Sequence, residues 1–142
     1  FIQLIPNWKK HSFELDGIFL GHGDVDYLGC YSHSVITLTA WNNDIIWENC
    51  WSKFVREHHK TLELLNIPYE QINKDYYRVE FTINSAKAFM LIHIFMHELG
   101  HHLDRMTSRR QEYCGRGEEF AENWALIHET EMYERYCRYY RI

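Results

Sequence analysis

At 142 residues the chain is a single domain, 1–142, long enough to bury one core and too short for two. Its 46% hydrophobic and 25% charged residues are ordinary for a folded chain, with 5 Trp and 10 Tyr supplying much of the apolar bulk. A net charge of -5, with basic residues grouped only at Arg105, Arg109, Arg110 and Arg116, argues against a nucleic-acid partner, and the longest apolar stretch, 88–96, is broken by His93 and too short to cross a bilayer.

The N-terminal third has strand character: residues 1–5 and 13–20 are apolar and aromatic runs separated by Pro6-Asn7 and ended by Gly21-His22-Gly23-Asp24. His22, Asp24 and Asp26 read as a turn cluster rather than a second metal site. Residues 35–41 form a β-branched run that predicts a strand. Asn42-Asn43-Asp44 then caps a helix expected over 45–65, where Ile46, Trp47, Cys50, Trp51, Phe54, Thr61, Leu62 and Leu65 recur at helical spacing until Pro68; His58 and His59 fall on its solvated surface. Residues 76–83 alternate as a half-exposed strand. Asn84-Ser85 caps the next helix, expected to run to about residue 106, and a loop holding Gly115 and Gly117 leads to a last long helix. Tyr133, Tyr136, Cys137 and Tyr140 recur along that helix at core-packing intervals. The predicted class is α+β, with a small, mostly antiparallel sheet in the N-terminal half packed on the first long helix.

Two features bear on the compartment and leave it open. Phe1 in place of an initiator Met fits a mature product, a processed form or a domain of a larger protein, and the N-terminus does not resemble a signal peptide. Cys30, Cys50, Cys114 and Cys137 lack C-x-x-C spacing and are read as buried free thiols in preference to two disulfides.

His97-Glu98-Leu99-Gly100-His101 has the form H-E-x-x-H. On a helix, residues four apart share a face, so His97 and His101 can grip one metal ion, while Glu98, turned by about 100°, can reach a water on that metal as a base. With 10 His and 14 Glu in the chain the string needs support from its surroundings. Ala88, Phe89, Leu91, Ile92, Ile94, Phe95, Met96, Leu99 and Leu103 surround the motif helix with apolar surface, which marks a central buried helix. Burying an ionised Glu and two imidazoles without partners costs several kcal/mol, a difficulty a metal removes. Gly100, costing roughly 1 kcal/mol against Ala inside a helix, points to a backbone or a bound group approaching closely.

A catalytic zinc site takes three protein ligands and leaves a fourth position to water. The metzincin position for a third His is occupied by Thr107, and His93 lies about 12 Å along the helix axis from His101, too far to share an ion. The stronger candidate is Gly117-Glu118-Glu119-Phe120-Ala121-Glu122 on the last helix. Glu118, preferred to Glu119, can ligate, and Glu122 on the same face can orient one imidazole, with Asp104 a candidate to orient the other.

These residues resemble a known group. H-E-x-x-H followed by E-x-x-x-D/E on the next helix is the gluzincin pattern of zinc metallopeptidases. His97 to Asp104 together with Glu118-Glu119-Phe120-Ala121-Glu122 resembles most the anthrax lethal factor-like peptidase domain, with Asn123-Trp124 departing from the family's Ala-Phe. The resemblance implies a zincin-like fold, one zinc ion per chain, endopeptidase activity on a peptide or protein substrate, and a tyrosine hydroxyl for the oxyanion, for which Tyr113 is the natural candidate and Tyr133 or His128 the alternatives. A second resemblance is to regulatory peptidases of the ImmA/IrrE type. Either implies metal-assisted hydrolysis with Glu98 as general base, an extended substrate adding to the edge of strand 76–83 or 35–41. Two other readings use the same residues: a catalytically silent zincin-like domain that binds a partner, and a closed structural site in which Glu119 or His102 takes the water's place.

Overall fold

The computed structural model describes residues 1–23, 27–41, 44–108 and 115–142. Among these residues thirteen elements make an α+β arrangement of two three-stranded sheets and a helical layer. The expected single sheet is thus two. In one, β1 (Gly17–Gly21), β2 (Gly29–Ser32) and β3 (Val35–Thr39) lie in the order β1-β3-β2, with β1 parallel and β2 antiparallel to β3. His33 and Ser34 join β2 to β3, both with positive φ (49° and 64°), the backbone that a two-residue hairpin turn requires. In the other, β4 (Ile46–Trp51), β5 (Tyr69–Gln71) and β6 (Tyr76–Glu80) form an antiparallel sheet in the order β4-β6-β5.

Two sequence expectations change here. The helix predicted over 45–65 is a strand followed by a helix: β4 pairs with β6 from Ile46↔Glu80 to Trp51↔Tyr76, and α2 (Ser52–Leu64) begins only after it. Aromatic packing decides the matter, since Trp47 stacks on Trp41 at 5.1 Å and lies against Phe81 at 5.0 Å, contacts a pleated strand can present. The apolar run 1–5 is a short 3-10 turn (Ile2–Leu4), followed by α1 (Trp8–His11), and only the end of 13–20 becomes β1. Phe1 and Trp8 serve the core instead, each about 6 Å from Phe95. Asn42 and Asn43, read as caps, lie outside the described residues, as do Asp24 and Asp26 of the turn cluster.

The motif helix is continuous from 83 to 107: α3 (Ile83–Ala88), a π-helical segment (Phe89–Ile94) and α4 (Phe95–Thr107). Its cap is Thr82, whose hydroxyl accepts from the Ser85 amide at 3.0 Å while Ser85 Oγ accepts from the Thr82 amide at 2.8 Å, a reciprocal box that satisfies two otherwise orphaned donors. Phe89, Ile92, Phe95, Met96 and Leu99 on this helix are almost wholly buried with Ile36, Leu62, Val79 and Met132 from the surrounding elements. The helix is central, as its apolar composition predicts. The last helix, α5 (Gly117–Tyr140), packs along α4. No helix among the described residues is long and apolar enough to cross a membrane.

Gly100 is where α4 and α5 meet. A Cβ at this position would come within 2.8 Å of Ala121 Cα and 3.0 Å of Ala121 O, so the approaching group anticipated from the sequence is the backbone of α5. Gly100→Ala gains helix propensity of roughly 1 kcal/mol but forces two backbones apart. The expected result is a net loss of about 1–3 kcal/mol in urea unfolding. Unchanged stability would show that the helices separate freely.

The cysteines only partly follow expectation. Among the described residues Cys30, Cys50 and Cys137 are free, but only Cys50 is buried, where burial pushes its thiol up to about 11; Cys30 is exposed. Cys114 lies outside the described residues.

Candidate metal centre

Helical periodicity places His97 and His101 on one face of α4, their rings 4.9 Å apart. The close approach at Gly100 brings the first turn of α5 over that face. Glu118 there holds its two carboxylate oxygens 3.2 Å from His97 Nε2 and 3.4 Å from His101 Nε2. One ligand atom from each of these three residues lies within 4.8 Å of the others, and no other group of His, Cys, Asp or Glu among the described residues meets that test. Glu119, the alternative to Glu118, is exposed one position further along α5.

Glu122 stands one turn beyond Glu118 and accepts from His97 Nδ1 at 3.1 Å, which leaves Nε2 of that ring facing Glu118. Burial alone lowers the basicity of His97, but the Glu122 hydrogen bond and the charges of Glu98, Glu122 and Glu118 outweigh it and raise its pKa. His101 is lowered, by burial and by His97 beside it. Burial likewise opposes ionisation of Glu122, yet its hydrogen bond to His97 and the nearby charges of His93, His97 and His58 hold its carboxyl below the usual range.

Asp104 has a different task from the one its spacing suggested. Its carboxylate accepts from the Arg116 and Gly117 amides at 2.7 and 2.8 Å, from Arg116 Nε at 2.8 Å and from Ser108 Oγ at 2.9 Å. It therefore ties the start of α5, with its exposed backbone donors, to the end of α4 and fixes where Glu118 stands. Burial by itself would raise this carboxyl; the bonds from Arg116, Gly117 and Ser108 hold it below its ordinary value.

Glu98 is 6% exposed, beneath β2. A Cβ on Gly29 would lie 2.8 Å from Glu98 Oε1 and 2.9 Å from its Cγ, so only glycine leaves room for this side chain. Burial, opposed by His97 and by the Tyr31 backbone N–H that donates to it and aided by Glu118, brings the Glu98 carboxyl up to about 7. The contributions of Gly29 and Tyr31 were hidden in the sequence, since Gly29-Cys30-Tyr31-Ser32 has little β-branched character and nothing in it names a partner for Glu98. In the metal-free protein, Glu98 holds its proton more tightly folded than unfolded. Its share of stability is therefore present below about pH 4.5 and is lost as pH rises to about 7. Urea midpoints at pH 5 and pH 7.5 should differ less in Glu98→Gln than in the parent; equal differences would contradict this placement.

The remaining candidates fall elsewhere. His102 is wholly buried with both nitrogens engaged, Nε2 donating to Phe13 O at 2.9 Å and Nδ1 accepting from Tyr31 OH at 3.1 Å, so it does not close a fourth ligand position. His128 and Tyr133 lie about 15 and 22 Å beyond Glu118 along α5, at 1.5 Å per residue, and are removed from the site. Tyr113 lies outside the described residues. His93 is buried behind the site and is not in the metal-competent group. Strand β6 is central in its sheet and β3 in its own, so neither strand expected to offer an edge does so; β2 is the edge strand beside Glu98.

Comparison of the chain with family models, curated proteins and solved structures finds no match to any of them.

Proposed function

We propose that the chain is a zincin-like, zinc-dependent endopeptidase. The observation that carries this reading is the convergence of His97, His101 and Glu118 on one point beside the buried Glu98. Two imidazoles and a carboxylate are a donor set that suits zinc and leaves a position open, and Glu122 on His97 Nδ1 supplies the outer hydrogen bond such ligands normally have. Bound there, zinc would supply a Lewis acid that polarises a peptide carbonyl and acidifies water. The resemblance of the motif and of the Glu118–Glu122 segment to lethal factor-like peptidases supports the same assignment.

The chain's own residues divide the remaining work. Glu98 accepts a proton from the attacking water and passes it to the leaving amine. Its carboxyl, which burial pushes up in the metal-free chain, stands where it can both take and return a proton. Gly29 gives it space, and the Tyr31 N–H fixes its orientation. The outer edge of β2 offers an extended substrate backbone a strand to pair with, which favours cleavage within a chain over removal of terminal residues.

An unstructured polypeptide with both ends blocked tests the proposal. The zinc-loaded protein should cut it internally, cease on chelation and resume on return of zinc. Stoichiometric zinc without cleavage would overturn the peptidase reading in favour of a silent partner-binding domain.

A further inference from the structure

Behind the candidate metal centre runs a buried polar chain that hydrolysis does not use. His93, in the π-helical segment, is 1% exposed and Glu129 on α5 is 4% exposed. His93 Nδ1 lies 3.3 Å from Glu129 Oε2 and 3.2 Å from Thr61 Oγ1 of α2, whose hydroxyl donates to the same Glu129 oxygen at 2.8 Å. On its other side His93 Nε2 lies 3.7 Å from Glu122 Oε2, an ion-pair distance, and that oxygen is the one accepting from His97 Nδ1 at 3.1 Å. The ring of His58, from α2, packs edge-on to His93 at 5.0 Å with its own Nδ1 directed at Phe54 O.

Both ring nitrogens of His93 thus face carboxylate oxygens. A neutral ring would set a lone pair against one of them, in a setting where an unmatched polar contact is costly. An imidazolium donates through Nδ1 to Glu129 and turns a positive Nε2–H toward Glu122 at ion-pair distance. Packing alone does not call for such a cluster, since apolar side chains of similar volume commonly replace a whole buried ion pair without loss. Its place in the molecule supplies a reason: Glu122, the group that orients His97, is gripped between His97 and His93.

We propose that His93, protonated on both nitrogens and anchored by Glu129 and Thr61, is a positioning residue that fixes Glu122 and through it presents His97 Nε2 to the metal. The inference rests on the metal-centre reading above and extends the site to a third helix, α2. His93 touches no ligand itself.

Two measurements test it. In the metal-free wild-type protein at pH 7, 15N NMR of labelled histidine should show protons on both nitrogens of His93; a bare Nε2 would overturn the arrangement, whatever the behaviour of variants. Zinc affinity, measured by competition with a chelator, should weaken about tenfold in His93→Leu and recover to within about threefold of wild type in His93→Gln, whose amide presents an N–H toward Glu122. Wild-type affinity in a folded His93→Leu would overturn the proposal. So would weakening that follows only a lower metal-free unfolding midpoint and is not relieved by Gln, since a purely structural role behaves that way. Should the wild type itself take up no zinc, the metal-centre reading falls, and the proposed function of His93 falls with it, while the NMR result still reports its proton arrangement.

Discussion

Glu98→Gln is expected to bind zinc with unchanged stoichiometry and to lose peptide hydrolysis by about a thousandfold, within the range that a positioned proton-transfer group contributes. The substitution keeps the size of the side chain in the space that Gly29 leaves, and the amide can still accept from the Tyr31 N–H. What it removes is the ability to take a proton. Retained activity in a zinc-loaded Glu98→Gln protein would show that another group is the base. The paired measurement of metal content and turnover matters, because loss of both would mark Glu98 as part of metal binding rather than of proton transfer.

Glu118→Ala should have the opposite signature: an intact fold and a failing metal centre. The Glu118 side chain is 83% exposed, so removing it disturbs no core packing. Two histidines alone form an incomplete zinc site, and affinity is expected to weaken by at least about a hundredfold. At a fixed excess of free zinc, that loss reduces the metal-dependent gain in unfolding free energy by about 2.7 kcal/mol. The metal-free midpoints of variant and parent should coincide. Zinc-dependent stabilisation undiminished in Glu118→Ala would transfer the third ligand to another residue.

The centre of the site was legible because helices impose short-range geometry. Spacing alone put His97 and His101 on one face, and Glu118 and Glu122 on another, and the apolar residues around 88–103 required their helix to be buried. Gly100 carried longer-range information, since a glycine in a buried helix needs a neighbour that excludes a side chain, and Ala121 of α5 is that neighbour. Asp104 shows where spacing stops being informative. Three residues after His101, it had the position of an orienting carboxylate, but the free backbone amides at the start of α5 and the Arg116 side chain compete for its oxygens.

The strands were harder to read for a related reason. Ile46, Trp47, Cys50 and Trp51 fit a helical period, yet pairing with β6 and stacking on Trp41 give them a strand's geometry, and those partners are distant in sequence. The edge at the site could not be inferred from alternation either. β6 alternates well and is central; β2 alternates poorly and is the edge beside Glu98. The chain from His97 through Glu122 and His93 to Glu129 and Thr61 draws on three helices, so only their packing reveals it.

The most direct test of the metal centre is an anomalous-scattering map, collected at the zinc edge, from crystals of the zinc-loaded protein. It should show one ion per chain held by His97 Nε2, His101 Nε2 and the Glu118 carboxylate, with Glu98 near the open position but not bonded to the ion. An ion held by other side chains, or no ion from a protein that zinc also fails to stabilise, would contradict the account at its root.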